Sequence, residues 1–111
     1  MKEFIGEMLG TFVLTLMGCC SVAVAVLFGE YNSIFQIGLV WGLGVTLAIF
    51  LTRNICCAHL NPAVSVAMVL AGRMCAKRLP LYVVAQMVVY FSITIYTQSK
   101  WYTFELLFGI L

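Results

Sequence analysis

Charge is scarce in this sequence. Asp, Glu, Lys and Arg make up 9% of the 111 residues, and hydrophobic residues 64%. Ordinary soluble domains run at about 25% charged and about 45–50% apolar. A soluble domain of this length cannot hide that much apolar surface, so the bilayer is the expected solvent. The net charge is only +2, too small to suggest nucleic acid or an acidic partner. Any Cys-x-x-Cys pair is also lacking. The five cysteines, Cys19, Cys20, Cys56, Cys57 and Cys75, sit in or beside apolar runs rather than at the spacings of a disulfide-stapled domain, and there is no zinc or redox motif. The run Cys56-Cys57-Ala58-His59 offers at most three crowded ligands, where zinc takes four. Neither a metal nor another cofactor is expected. No nucleophile–base pair and no phosphate loop is found, which argues against an enzyme.

What is present is apolar and segmented. Residues 4–28 form a first run, long enough to span, since about 20 helical residues cross the hydrocarbon core. Lys2, the apolar run and Ala23-Val24-Ala25 have the outline of a secretory signal. Against that, Glu7 interrupts the run and further spans follow. Gly29-Glu30-Tyr31-Asn32-Ser33 is a polar turn. Residues 34–52 are the second span, ended by Arg53-Asn54, and residues 55–60 read as a non-helical loop. Asn61-Pro62 then looks like a helix start, with Asn as N-cap and Pro at the first helical position. This helix covers about residues 62–71 and stops at Gly72. Residues 73–78 form a basic loop and 79–96 the third span. Residues 97–111 are an unassigned tail.

The helix at 62–71 is apolar but covers only about half the hydrocarbon thickness. Between spans it reads as a re-entrant half-helix, which is tolerated at depth only against protein or a watery cavity. The positive charges set an orientation. With the N-terminus in the cytoplasm, Lys2, Arg53, Arg73, Lys77 and Arg78 all fall inside and Glu30 outside. The half-helix then enters from the cytoplasm.

Glu7, Thr11, Leu14, Gly18, Ser21 and Ala25 share one face of the first span, and all but Leu14 are small or polar. Gly6 and Gly10 add a GxxxG pair, and Gly38 and Gly42 another on the second span; small residues let helices approach closely in lipid. An ionisable group in a span faces the protein interior and has a partner, and for Glu7 the N–H groups of the 55–60 loop are at hand. Trp41 shares a face with Gly44 and Ala48. It reads either as an interface anchor or as one wall of a constriction. At Asn61, a helix N-terminus at mid-membrane presents N–H donors and positive potential, and the Asn amide adds a donor for a passing oxygen. Such a site suits water or an alcohol and repels cations.

Ala58-His59-Leu60-Asn61-Pro62-Ala63-Val64-Ser65 resembles the first signature of the aquaporin superfamily. Gly6-Glu7-Met8-Leu9-Gly10-Thr11 resembles the start of its first helix. Trp41-Gly42-Leu43-Gly44-Val45-Thr46 is similar to the second helix of the glycerol facilitators in particular. The resemblance implies an all-α membrane protein: the aquaporin-like half, with three transmembrane helices and one re-entrant half-helix, over residues 1–96. It implies a passive channel for glycerol, small neutral solutes and water, forming a homo-oligomer (a tetramer in the family) once completed by an inverted second half. Residue by residue, it makes Asn61 the pore donor and Cys57, Ala58 and His59 the source of backbone carbonyls for the permeant. Glu7 braces the loop, Pro62 and Ala63 support the half-helix, and Trp41 is an apolar wall of the filter that favours glycerol. His59 has a structural role ahead of a titrating one. Departures from the pattern are Cys56-Cys57 where Ser-Gly is common, Arg53-Asn54 for small uncharged residues, and Met87, Val88, Val89 and Tyr90 for small ones. The second Asn-Pro-Ala and the filter arginine do not occur. The alternatives to a half-channel are therefore a non-conducting membrane fragment and an interaction partner of a full-length homologue.

Overall fold

A computed structural model describes residues 1–30 and 33–108, with side chains described to Lys100. Tyr31 and Asn32 of the expected turn, and residues 109–111 of the tail, lie outside the described residues. The described chain is helical: α1 (Lys2–Phe28), α2 (Ile34–Thr52), α3 (Pro62–Leu70), a 3-10 turn (Ala76–Arg78) and α4 (Leu79–Phe108). The segments Lys2–Phe28, Ile34–Thr52 and Ala76–Lys100 are long and apolar enough to cross a membrane. The helix α3 is too short for that at nine residues.

Local chemistry sets most of the ends. α1 stops at Gly29, whose φ of 64° is left-handed, a conformation that glycine adopts without a Cβ penalty. α2 starts from a capping box. Ser33 Oγ accepts the Phe35 N–H at 3.1 Å, and Gln36 Oε1 accepts the Ser33 N–H at 3.3 Å, which satisfies two donors that a helix start leaves open. α3 starts at Asn61, whose Oδ1 accepts the Ala63 N–H at 2.8 Å. Two boundaries differ from the sequence reading. The last part of the basic segment is not loop but a 3-10 turn that feeds α4 directly. α4 also runs on past Tyr96 to Phe108. Hydropathy falls near Gln98-Ser99-Lys100, but no Gly or Pro stands between Pro80 and Gly109, so polarity changes there while the helix does not.

The packing is inverted relative to a soluble domain. Ile34 is 89% exposed and Leu70 83%, while Glu7, Thr11, Thr52, Ser65 and Gln86 are 0%. This distribution suits hydrocarbon outside, since buried polar groups can find partners within the protein and lipid offers none. α1 is the hub, packed against both α2 and α4, and α3 lies on α4. Its buried face carries Gly6, Glu7, Gly10, Thr11, Leu14, Thr15, Gly18 and Ser21; Ala25 is only half-buried. A Cβ at Gly10 would collide with the Leu60 side chain, and one at Gly18 with the Trp41 indole. A Cβ at Gly38 or Gly42 would meet nothing within 4 Å, so this pair brings no helix close within the described chain. At one end of the bundle Arg78 Nη1 meets Glu3 Oε1 at 2.8 Å, which ties the start of α4 to the start of α1. The pair is exposed, so it orients more than it stabilises.

Candidate functional site

The segment 53–61 leaves α2 as a short hydrogen-bonded turn. Ile55 and Cys56 N–H both reach the Thr52 carbonyl, at 2.8 and 3.0 Å. It then enters an irregular stretch in which Ala58 and Leu60 take left-handed backbone, φ 50° and 56°. Non-glycine residues held there cost about 1–3 kcal/mol each, so the surroundings must over-determine them.

Glu7 supplies much of that determination. Its Oε1 accepts the His59 N–H at 2.8 Å, and its Oε2 accepts the Leu60 N–H at 2.8 Å and Gln86 Nε2 at 2.9 Å. Three donors converge on one fully buried carboxyl group. Gln86 Nε2 also donates to Ser65 Oγ at 3.1 Å, and Ser65 Oγ lies 3.2 Å from His59 Nδ1. The amide's orientation follows from Glu7, because the opposite one would set oxygen against oxygen. Gln86 Oε1 is left with no partner among the described residues. Ser65 Oγ accepts from the amide and keeps both a proton and a second lone pair for the His59 ring, so this contact can run in either direction. The His59 ring also stands 5.1 Å from the Tyr82 ring, tilted at 44°.

α4 holds the loop at two further points. Tyr82 Oη accepts the Cys57 N–H at a long 3.4 Å, and Tyr90 Oη donates to the Leu60 carbonyl at 3.0 Å. Tyr82, Gln86 and Tyr90 stand four residues apart, so one stripe of α4 faces the loop turn by turn. Sequence reading missed these three and Ser65. Polar side chains at a spacing of four inside a predicted span were the available signal.

The residues expected at the site are distributed as follows. Glu7 and His59 are buried at its centre, and Ala58 and Pro62 are half-buried beside it. Cys57, Asn61 and Ala63 are exposed on the open side. Asn61 spends its Oδ1 on the cap, and among the described residues nothing accepts from its Nδ2. Trp41 is half-buried and packs on the core cluster of Leu14, Ala48 and Leu60, as does Ala58. Indole and loop therefore share one core. On its other side Trp41 bounds a cleft of about 170 Å³ with Cys19, Val22, Thr94, Thr97 and Gln98.

Comparison with known proteins places this geometry. The major intrinsic protein family matches residues 1–96. The chain belongs to that family. It is a family of membrane channels, not of enzymes, and its members share this all-helical membrane fold. Among relatives, human aquaporin-9 is 43% identical over 86 residues, which is 77% of this chain and 29% of that protein. The glycerol uptake facilitator protein of Pseudomonas aeruginosa is 38% identical over 84 residues, 76% of this chain and 30% of that protein. Aquaglyceroporin-3 of Trypanosoma brucei brucei is 40% identical over 86 residues, 78% of this chain and 28% of that protein. The chain thus spans less than a third of the length of these relatives.

Proposed function

We infer that the chain builds the first half of a passive pore for glycerol and similar small neutral solutes, with water. The observation that supports this most is the Asn61 start of α3. Its oxygen is engaged in the cap and its Nδ2 amide is not. Beside it, the carbonyls of Cys57, Ala58 and His59 receive no donor among the described residues. A donor next to a row of acceptors suits a chain of hydroxyls. The positive end of a helix at that point disfavours cations. Trp41 supplies an apolar wall for the C–H edge of a polyol. Glu7 braces the loop, and Pro62 and Ala63 shape the first turn of α3. The N-terminus is cytoplasmic in this reading, and the completed channel is a homo-oligomer in lipid. An inverted second repeat supplies the facing half.

A second reading draws on one observation. α3 is covered by α4, while Asn61, Ala63, Val64, Val66 and Leu70 are exposed. A chain with that face open also suits a non-conducting partner of a full-length homologue. One experiment separates the two readings. The chain is joined to the second repeat of the Pseudomonas aeruginosa facilitator, purified and placed in liposomes. Stopped-flow light scattering after an osmotic step of glycerol should show flux well above empty liposomes, reduced several-fold by Asn61→Ala. A silent parent at equal protein density would sink the pore reading. Co-purification of the chain with a full-length relative would then favour the second.

A further inference from the structure

Along the loop, the backbone groups are divided. The N–H groups of Cys57, Ala58, His59 and Leu60 all have acceptors: Tyr82 Oη, Cys56 Sγ, and the two oxygens of Glu7. The carbonyls are treated differently. Those of Cys57, Ala58 and His59 have no donor among the described residues, whereas the next one, Leu60, is taken by Tyr90 Oη at 3.0 Å. The row of open acceptors therefore stops one residue before Asn61, and the group that stops it is a side chain from α4. Tyr90 is half-buried and Leu60 only 2% exposed, so the hydroxyl helps to cover the Leu60 carbonyl at the edge of the packed core.

We propose that Tyr90 is a positioning residue that withholds the Leu60 carbonyl from permeants and so sets the preference of the passage between polyol and water. The assignment rests on the pore reading above. Water moving in single file keeps neighbouring waters as hydrogen-bond partners. A polyol has only the wall, so each acceptor on the wall counts for more. With the hydroxyl of Tyr90 in place, a polyol passing from His59 to Asn61 finds no acceptor at residue 60. Without it, the row runs unbroken to the Asn61 amide. One added neutral hydrogen bond corresponds to about twofold to tenfold in rate, and it should act on glycerol more than on water.

Tyr90→Phe keeps the ring and removes the donor. Two measurements test it. In the completed channel described above, the variant should raise the ratio of glycerol to water permeability by about twofold to tenfold. 4-Aminophenylalanine at position 90, which restores a donor, should return the ratio toward the parent. On the 111-residue chain itself, made with a single ¹³C carbonyl at Leu60, the isotope-shifted amide I band should move to higher wavenumber in Tyr90→Phe as that carbonyl loses its donor. A band that stays in place overturns the clamp whatever the flux does. A band that moves with an unchanged permeability ratio overturns the role in selectivity. A completed channel that conducts nothing in the parent is a failure of the pore reading and takes the selectivity role with it, while the infrared band still decides the clamp.

Discussion

Gly6 and Gly10 on α1 stand four residues apart, as do Gly38 and Gly42 on α2, yet the two pairs meet different surroundings. On α1 a Cβ at Gly6 would lie 2.9 Å from Cys56 Sγ, and one at Gly10 would strike Leu60. On α2 a Cβ at either glycine would meet nothing within 4 Å, and the neighbouring Leu39 and Leu43 are exposed. The same spacing serves close packing inside the chain in one helix and an open outer face in the other. The difference arises from what else each helix carries. α1 has a carboxyl group that must be buried among donors, and that requirement pulls its small-residue face inward. α2 has no such group, so its glycines are free to look out. A GxxxG pair therefore says that a helix can be approached closely, and a buried polar residue says from which side.

The contrast is broken most directly by removing the group that creates it. Glu7→Leu leaves the N–H groups of His59 and Leu60 without an acceptor and takes one of two from the Gln86 amide. An unsatisfied buried donor costs about 1–3 kcal/mol, so the loss over these groups should reach several kcal/mol. Thermal unfolding of the detergent-solubilised chain, followed by circular dichroism, should show a large fall in Tm or no cooperative transition. A melt like the parent's would mean that α1 is held inward by something other than Glu7.

A matched pair of substitutions sharpens the comparison at intermediate size. Gly18→Ala drives a methyl group into the Trp41 indole and should destabilise by about 1–3 kcal/mol, as overpacking does. Gly42→Ala meets open space and exchanges a poor helix former for the best one, so it should be neutral or stabilising by up to about 1 kcal/mol. The same assay reads both. Equal shifts would erase the distinction between the faces.

The smallest effect contrasts two neighbours. Cys56 is buried, with its thiol donating to the Thr52 carbonyl at 3.6 Å, and Cys57 is exposed. A mercurial needs an accessible thiol, so in the completed channel inhibition should be lost in Cys57→Ser and retained in Cys56→Ser. Inhibition that survives Cys57→Ser would place the reactive thiol elsewhere.

These comparisons also show which parts were legible in the sequence. Glu7 stood out because an ionisable group in an apolar run needs a partner, and the nearest stretch with spare N–H groups was the loop at 55–60. The start of α3 was legible because Asn and Pro each have a local reason to open a helix. The α4 stripe was not. Tyr82, Gln86 and Tyr90 share a spacing of four, but that spacing gains its meaning only from the loop that folds against them, 25 residues away for Tyr82 and 30 for Tyr90. The end of α4 was misjudged at Tyr96 for a related reason. Hydropathy marks where lipid should stop, while a helix stops only where its backbone is capped or broken.

Glu7 also sets a schedule. Its donors lie 52, 53 and 79 residues further along the chain. At about 5–20 residues per second of synthesis, the carboxyl group is made roughly 4–16 s before Gln86, the last of its three donors. Until His59 and Leu60 are made α1 carries an acidic group with no native donor, and until Gln86 is made its set of donors is incomplete. α1 is thus completed by α4, which is made after it, and a pause in translation before Gln86 prolongs the time when α1 is least at ease in the bilayer.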